Sequence, residues 1–170
     1  MRFRNYVALI PVCVGVFIAA DDQTVLVTIL PQIMVDMKVP ISELHNASWT
    51  ITGYMLGYLS VMPLIGQLSD SLGHRRLFIT AMITFMMGSV GAALTQDLSW
   101  LIAIRIFQAM GAGALVPIAI AIAGDLFPKG KRSLPLGLVI ASAEAGSVIG
   151  PLWGGMILKH LDWRWVFWMN

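Results

Sequence analysis

Four charged residues lie inside long apolar stretches of this 170-residue sequence: Asp21, Asp22, Arg105 and Glu144. On insertion scales, each would cost roughly 2.5 to 3.5 kcal/mol at the centre of a membrane-spanning helix. Charged groups at such depth normally face a bundle interior or a water-filled cavity, where they pair or exchange protons. We therefore interpret Asp22, Arg105 and Glu144 as candidates for a proton-coupling or substrate site.

Helical geometry predicts that Asp22 and Arg105 lie close together. Asp22 precedes Leu30 by eight residues and Arg105 follows Trp100 by five. A rise of about 1.5 Å per residue puts them about 12 and 8 Å below the same membrane surface. A proton-coupling pair and a static ion pair that pins two helices both fit this arrangement, because buried pairs often specify geometry. Asp21 occupies a different helix face, so we interpret it as a polar neighbour.

Glu144 lies at a different depth. It follows Leu134 by ten residues, which puts it about 15 Å from the opposite surface and near the midplane. Because burial disfavours the charged form of a carboxyl group, Glu144 is a candidate proton carrier. A hydrogen bond from protonated Glu144 to Ser142 or to a facing backbone is an equally good explanation.

The apolar stretches themselves predict an all-α fold. Hydrophobic residues make up 58% of the sequence and charged residues 12%, against roughly 45 to 50% and about 25% in average soluble domains. A soluble fold of this composition would expose large apolar patches. A helix needs about 20 mostly apolar residues to cross a membrane. We predict a polytopic transmembrane helix bundle with a sixth span beginning at about residue 163 and five complete spans at 6–30, 47–68, 77–95, 100–126 and 134–158.

The distribution of basic residues predicts the orientation of the bundle. Cytoplasmic loops carry the positive excess, so we expect the N-terminus in the cytoplasm and the protein in the plasma (inner) membrane. One set of helix ends holds Arg2, Arg4, Arg75, Arg76, Lys129, Lys131 and Arg132, and the other holds Lys38, Lys159 and Arg164. Interfacial tryptophans belong near the outer ends, where the sequence has Trp49, Trp100, Trp163 and Trp165. A cleaved signal peptide is the alternative for 6–30, but its apolar core would be only roughly 7 to 15 residues long.

Several functional classes lack support in the sequence. The net charge of +2, without basic runs in a polar setting, argues against nucleic-acid binding. Cys13 is the single cysteine and the three histidines are scattered, so we expect no disulfide, no metal site and no cofactor. The spans contain no serine and histidine pair and no paired catalytic aspartates. We therefore expect no catalytic residues and no enzymatic activity.

Glycines recur at four-residue spacing in two spans: Gly53 and Gly57 in the second, and Gly146, Gly150 and Gly154 in the fifth. Such rows let helix backbones approach closely in lipid, and for the second span we interpret the row as tight packing. In the fifth span, Pro151 removes one backbone hydrogen bond, which predicts a bend against which a partner helix can slide.

Five segments resemble the drug:proton antiporters of the major facilitator superfamily, and they follow one another over almost the whole chain. GQLSDSLGHRR (66–76) resembles the family's loop signature, although Ser71 and His74 stand where basic residues are usual. RIFQAMGAG (105–113) resembles the motif associated with proton coupling, with Ala109 in place of a glycine. GSVIGPLWGG (146–155) fits the antiporter motif at Gly146, Gly150, Pro151, Gly154 and Gly155. DQTVLVTILP (22–31) and WRWVFWMN (163–170) resemble the first span and the start of the sixth span of fourteen-span multidrug exporters.

The resemblance implies a gate at the cytoplasmic end, formed by Gly66, Asp70, Gly73, Arg75, Arg76 and Asp125. The two glycines would permit a tight turn. Asp125 lies at a helix C-terminus, where a carboxylate is unfavourable without a cation. We expect one of three nearby cations to pair with it: Arg75, Lys129 or Arg132. A positive-inside anchor is the alternative, and it explains the basic residues but not Asp70.

By resemblance, residues 1–170 are the partial N-terminal transmembrane domain of a transporter that works by alternating access, with two six-helix halves rocking about a midplane site. The expected function is proton-coupled export of apolar or cationic small molecules such as drugs, and the bend at Pro151 would seal the closed pathway. The expected partners are the lipid bilayer, the substrate, protons and the remaining C-terminal spans. We expect this fragment alone not to transport. The alternatives are a metabolite uniporter or symporter of the same superfamily and a non-transporting receptor or assembly protein.

Overall fold

Residues 2–170 fold into six α-helices. The structure is a computed structural model that describes residues 2–170, apart from the side chains of Arg2, Phe3 and Asp70. That part of the chain has no β-strand, and its connections include two short 3-10 turns, Ile41–Glu43 and Lys129–Lys131. The helices are α1 (Arg2–Asp36), α2 (Leu44–Leu72), α3 (His74–Leu94), α4 (Leu98–Leu126), α5 (Ser133–His160) and α6 (Arg164–Trp168).

Helices α1 to α5 are long and apolar enough to cross a membrane. The prediction of an all-α bundle with five spans and the start of a sixth is confirmed. Most helices extend beyond the predicted spans; α1, for example, continues through Pro31 to Asp36, although its apolar stretch ends at residue 30. A helix satisfies its own backbone hydrogen bonds in lipid and beyond it, so its length can exceed that of its apolar stretch.

A single residue, Gly73, connects α2 to α3. Its φ angle is 84°, in the left-handed region that favours glycine. Gly66 was expected in the same turn, but it lies inside α2, and a Cβ there would meet open space. That part of the prediction is wrong because α2 continues to Leu72 and the chain reversal needs only one glycine.

Two pairs of helices pack most extensively, α1 with α5 and α2 with α4, and α3 also packs against α4. Glycines allow these close approaches. A Cβ at Gly57 would lie 2.8 Å from the carbonyl oxygen of Ile106, and one at Gly111 would lie 2.6 Å from that of Ala81. Gly53 faces the side chain of Ile106, so the interpretation of Gly53 and Gly57 as packing residues is confirmed.

Apolar side chains fill the helix contacts and also cover much of the outer surface. Leu26, Ile29 and Phe85 are fully buried, whereas Ile10 and Leu59 are largely exposed. Monomeric soluble proteins rarely expose contiguous apolar patches of this kind. The exposed faces of α1 to α5 are therefore suited to lipid or to further membrane-spanning helices.

Trp163 lies at the end of the bundle where the sequence put it, but its side chain is buried. Its side chain is 1% exposed, and its Nε1 donates a 3.0 Å hydrogen bond to Asp36 at the end of α1. Arg164 also reaches Asp36, at 3.3 Å, and lies over the Trp163 ring. Trp163 therefore lies at the expected helix ends, but its burial was not predicted, because its chain position does not reveal the contact with α1.

Candidate functional site

The centre of the candidate site is an ion pair between α1 and α4. Arg105 Nη1 donates to Asp22 Oδ2 at 2.6 Å, and Nη2 donates to the Asp22 backbone carbonyl at 3.3 Å. Both side chains are 0% exposed. The structure thus brings together the two residues that the sequence put at similar depths. Removal of either partner would leave a buried charge uncompensated, which is strongly destabilising.

Aromatic rings enclose the Arg105 guanidinium. Its central carbon lies 4.1 Å from the ring centre of Tyr54 on α2 and 5.5 Å from that of Phe167 on α6. Gln108 Oε1 accepts a 2.8 Å hydrogen bond from Arg105 Nη1. Cation–π and charge-assisted contacts therefore hold this cation from four helices. Sequence reasoning missed Tyr54, whose spacing carries no signal, whereas Gln108 belongs to the motif that begins at Arg105.

The second oxygen of the Asp22 carboxylate is also bound. Asn170 Nδ2 donates to Asp22 Oδ1 at 2.7 Å and to Ser89 Oγ at 2.9 Å. Ser89 Oγ in turn donates to the backbone carbonyl of Phe167 at 3.0 Å. Sequence reasoning missed Ser89 and Asn170. Asn170 could have been noticed, because it is the last residue of the segment 163–170 that carries one of the resemblances.

Several buried polar atoms in and around this centre have no hydrogen-bond partner among the described residues. They are Asp21 Oδ1, Thr50 Oγ1, Tyr54 Oη, Arg105 Nε and Gln108 Nε2. Buried polar groups are normally hydrogen-bonded, often through ordered water. The centre can therefore bind further polar partners, such as water or a polar group of a substrate.

Asp21 faces an apolar cavity instead of the ion pair. The cavity has a volume of about 310 Å³ between α1, α5 and α6. Adjacent residues on a helix point about 100° apart, so the two neighbouring carboxyl groups lie in different surroundings. The interpretation of Asp21 as only a polar neighbour is incomplete, because its cavity is walled largely by Phe17, Ile18, Ile149, Trp153, Val166 and Met169.

Glu144 lies apart from the ion pair. It is on an exposed face of α5, and no described residue forms a hydrogen bond or ion pair with it. Ser142, considered as its partner, donates instead to the carbonyl oxygen of Leu138 at 2.8 Å. The structure therefore does not group Glu144 with Asp22 and Arg105.

The glycine row of α5 positions the acidic segment of α1. A Cβ at Gly150 would lie 2.8 Å from the carbonyl oxygen of Asp21, and one at Gly154 would lie 2.7 Å from the side chain of Val25. Gly146 lies equally close to the preceding turn of α1. These three glycines let the two helix backbones meet beside the candidate site.

The other two residues of this motif do not take part in that contact. Gly155 has open space around the position of a Cβ, and Pro151 has an exposed side chain. The α5 helix continues through Pro151 to His160. Neither residue packs against α1 as Gly150 does.

His74 is the partner of Asp125 at the end of the bundle that carries most of the basic residues. Its Nδ1 lies 2.6 Å from Asp125 Oδ2. The expected cations take other positions: Arg132 Nε donates to the carbonyl of Phe127 at 2.8 Å, and Arg75 is exposed. The predicted partner of Asp125 is therefore wrong, because the one-residue turn before α3 directs its first residue, His74, towards the end of α4.

The rest of the proposed gate is only partly described. Arg75 and Arg76 are exposed at the start of α3. The expectation for Asp70 concerns a side chain outside the described part of the chain. The described part of this end therefore contains a turn at Gly73, one contact between α3 and α4, and a basic surface.

A bundle of membrane-crossing helices with a charge pair buried between two of them is typical of secondary transporters. The chain belongs to the Major Facilitator Superfamily, whose sequence profile matches residues 12–170. It is accordingly an integral membrane protein of a transporter family.

Several relatives with curated names are triacylglyceride transporters. The chain is 41% identical over 174 residues to a triacylglyceride transporter of Mycobacterium tuberculosis, a match that covers 100% of this chain and 34% of that protein. It is 38% identical over 170 residues to a triacylglyceride transporter of Mycolicibacterium smegmatis, covering 99% and 30%. The chain thus spans about a third of the length of these relatives.

A solved structure supports the fold. A bacterial homologue of the human lysosomal transporter Spinster, in an inward-facing and occupied conformation, superimposes with a TM-score of 0.80. The match has 19% sequence identity and covers 99% of this chain and 41% of that chain. The helix arrangement is therefore that of a major facilitator bundle.

Proposed function

We propose that the full-length protein carrying this chain is a proton-coupled exporter of apolar, lipid-like molecules in the plasma (inner) membrane. The observation that carries this proposal is the fully buried ion pair of Asp22 and Arg105. Removal of each charge from water costs several kcal/mol, and charged groups within membrane spans mark ion and proton pathways. The names of relatives that are 41% and 38% identical favour a triacylglyceride-like lipid as the substrate.

Proton binding at Asp22 is the coupling step of this proposal. A proton removes the negative charge of the pair and leaves the Arg105 cation without its counter-ion. A ligand shifts a conformational equilibrium only as far as it binds one state better than the other. The proton therefore drives the change between access states to the extent that Asp22 holds it more tightly in one of them. Substrate moves outward as protons move inward, by rocking of two halves about the site.

The cavity beside Asp21 supports an apolar substrate. Ligand sites are mostly apolar with a few placed polar groups, and Asp21 is such a group in a largely apolar wall. Cationic or apolar drugs are the second candidate substrates. They are supported by the α5 glycine row, which fits the drug antiporter motif and packs against α1 at this cavity.

Alternating access also requires parts beyond the buried centre. The exposed face of α5 that carries Glu144 is where we expect the remaining C-terminal spans to pack, with Glu144 as a second proton carrier. At the basic end, which we assign to the cytoplasm together with the N-terminus, the gate would stabilise one access state. It would comprise His74 in addition to Asp70, Gly73, Arg75, Arg76 and Asp125.

Reconstitution of the full-length protein in liposomes tests this function. Under an imposed proton gradient, we expect transport of a fluorescent triacylglyceride together with a proton flux. Asp22→Asn and Arg105→Ala should each abolish both fluxes, because each removes the charge pair, and Glu144→Gln should abolish them if it carries protons. The control is Asp162→Asn. Asp162 is an exposed carboxylate at the end of the bundle opposite the basic end, and this variant should transport normally.

The outcomes separate the alternatives. Unaltered transport by both Asp22→Asn and Arg105→Ala would refute the coupling role of the pair. Flux that does not depend on pH would support a uniporter. Efflux of a cationic dye without lipid transport would favour the drug substrate, and binding of lipid without any flux would favour a receptor.

A further inference from the structure

Two different donors hold the Asp22 carboxylate. Arg105 binds Oδ2, and Asn170 binds Oδ1 at 2.7 Å. An amide nitrogen has two hydrogens, and the second hydrogen of Asn170 Nδ2 goes to Ser89 Oγ at 2.9 Å. Both amide hydrogens of Asn170 are therefore used, and one of the two hydrogen bonds needs Asp22 Oδ1 as its acceptor.

This arrangement fits the ionised form of Asp22 better than the protonated form. An ionised carboxylate only accepts hydrogen bonds, whereas a protonated one must also place its own hydrogen and has less capacity to accept. Protonation also removes the negative charge that strengthens the hydrogen bonds from both donors. Arg105 keeps a second hydrogen bond, to the Asp22 backbone carbonyl, so Asn170 is the donor whose position depends more on the charge of Asp22.

We propose that Asn170 is a positioning residue that senses the protonation of Asp22 and transmits it to α6. The proposal rests on the proposed function, in which Asp22 binds the transported proton. When Oδ1 gains a proton, the amide turns its carbonyl oxygen towards Asp22 and withdraws its hydrogen from Ser89. Ser89 Oγ donates to the carbonyl of Phe167, whose ring lies near Arg105. The contacts of α6 with α1 and α3 thus depend on the charge state of Asp22.

Other groups also face Asp22 from the helices packed around it. The titratable or charged ones among the described residues are Asp21 on α1, Tyr54 on α2 and Arg105 on α4. The α3 and α6 segments present Ser89 and Asn170, which do not titrate. On α5 the neighbouring residues are glycines, and Glu144 lies on the exposed face. A test must therefore isolate the contribution of Asn170 from those of three ionisable neighbours.

Infrared titration of the reconstituted full-length protein provides this test. The stretching band of protonated carboxyl groups, assigned to Asp22 by its loss in Asp22→Asn, reports the pH midpoint of Asp22 protonation. Asn170→Leu keeps the side-chain size and removes the donor to the ionised form. We expect the midpoint to rise by about one pH unit, the size of one hydrogen bond to a charged group.

A matched control and two further variants sharpen the test. Asn5→Leu also removes an amide hydrogen bond between helices, of 2.6 Å to the carbonyl of Leu126, but far from Asp22, and should leave the midpoint unchanged. Asn170→Ser keeps a shorter donor and Ser89→Ala removes one of the two amide contacts. Both should raise the midpoint by less than Asn170→Leu.

An equal midpoint in Asn170→Leu and Asn5→Leu would overturn the proposal and make Asn170 a packing residue. A wild-type protein without proton-coupled transport would refute the proposed function, while the infrared midpoint would still decide the role of Asn170. Absence of an Asp22 band over the whole accessible pH range would overturn both.

Discussion

Arg105 illustrates how a guanidinium is retained among apolar helices. Asp22 compensates its charge, Gln108 accepts one of its hydrogens, and the Tyr54 ring covers its face. The planar group of an arginine suits this combination of paired hydrogen bonds and ring stacking better than the ammonium of a lysine. The buried pair is therefore a single unit of several contacts, and its energetic coupling is measurable.

We expect Asp22→Asn and Arg105→Gln each to lower the free energy of unfolding by roughly 3 to 5 kcal/mol, because each leaves an unpaired buried partner. The double variant should cost clearly less than the sum. Chemical denaturation in detergent would measure the three values. The matching cycle on Asp36 and Arg164, a partly exposed pair at 3.3 Å, should give a coupling of about 1 kcal/mol or less. Additive losses at Asp22 and Arg105 would contradict this expectation.

The two glycines of the loop signature should respond in opposite ways. Gly73→Ala puts a Cβ at a φ of 84° and should destabilise the protein by about 1 to 3 kcal/mol. Gly66→Ala adds a methyl group to open space inside α2 and should stabilise it by about 0.5 to 1 kcal/mol. Thermal unfolding of both variants would measure the difference. Equal effects would show that the turn does not require a glycine.

Residue-level prediction from the sequence succeeded where a regular helix fixed the geometry. The constant rise of a helix gave the depths of Asp22 and Arg105, so their meeting could be anticipated. The contacts of Trp163 and Asn170 could not be, because they depend on how the short α6 folds against α1 and α3. The partner of Asp125 is His74 instead of Arg75, Lys129 or Arg132, because the one-residue turn at Gly73 directs the first residue of α3 towards the end of α4.

At the scale of helices, the packing has an internal symmetry. Six-span halves consist of two inverted three-helix repeats, and exchange of the repeats maps α1 onto α4 and α2 onto α5. The contact of α1 with α5 then maps onto that of α4 with α2, and these are the two most extensive contacts in the structure. Both are lined by glycines. The glycine row of α5 therefore has a structural counterpart in Gly53 and Gly57 of α2.

Substitutions in the glycine row of α5 test whether this packing positions the site. Gly150→Ala should force a methyl group against the Asp21 carbonyl and Thr24, which should cost roughly 1 to 3 kcal/mol and reduce transport by displacing Asp22. Gly155→Ala meets open space inside α5, so it should leave transport unchanged and, like Gly66→Ala, stabilise the protein slightly. Melting temperature and transport rate would be measured for both. Normal transport by Gly150→Ala would show that the α1 and α5 contact does not position Asp22.

At the scale of the whole molecule, the expected orientation in the membrane rests on the distribution of basic residues alone and can be tested directly. In a Cys13→Ser background, Ser71→Cys at the basic end should be protected in intact cells from a membrane-impermeant thiol reagent. Ser99→Cys at the opposite end should be labelled. Both serines are exposed in the structure, so the two variants should differ only in the side of the membrane on which the thiol lies. Labelling of Ser71→Cys and protection of Ser99→Cys would reverse the assignment.

The neighbouring carboxyl groups of Asp21 and Asp22 have a consequence for electroneutrality. Both are buried, but Asp22 pairs with Arg105 whereas Asp21 faces the neighbouring cavity. When all three groups are ionised they carry one excess negative charge together, and a single proton cancels it. A second proton leaves one excess positive charge. A surplus charge of either sign is unfavourable away from water. A state that closes this region to solvent therefore has the lowest free energy when the two carboxyl groups hold one proton between them. Under the proposed function, a bound neutral lipid and a bound cation would then require different numbers of protons, and the stoichiometry of exchange would depend on the substrate.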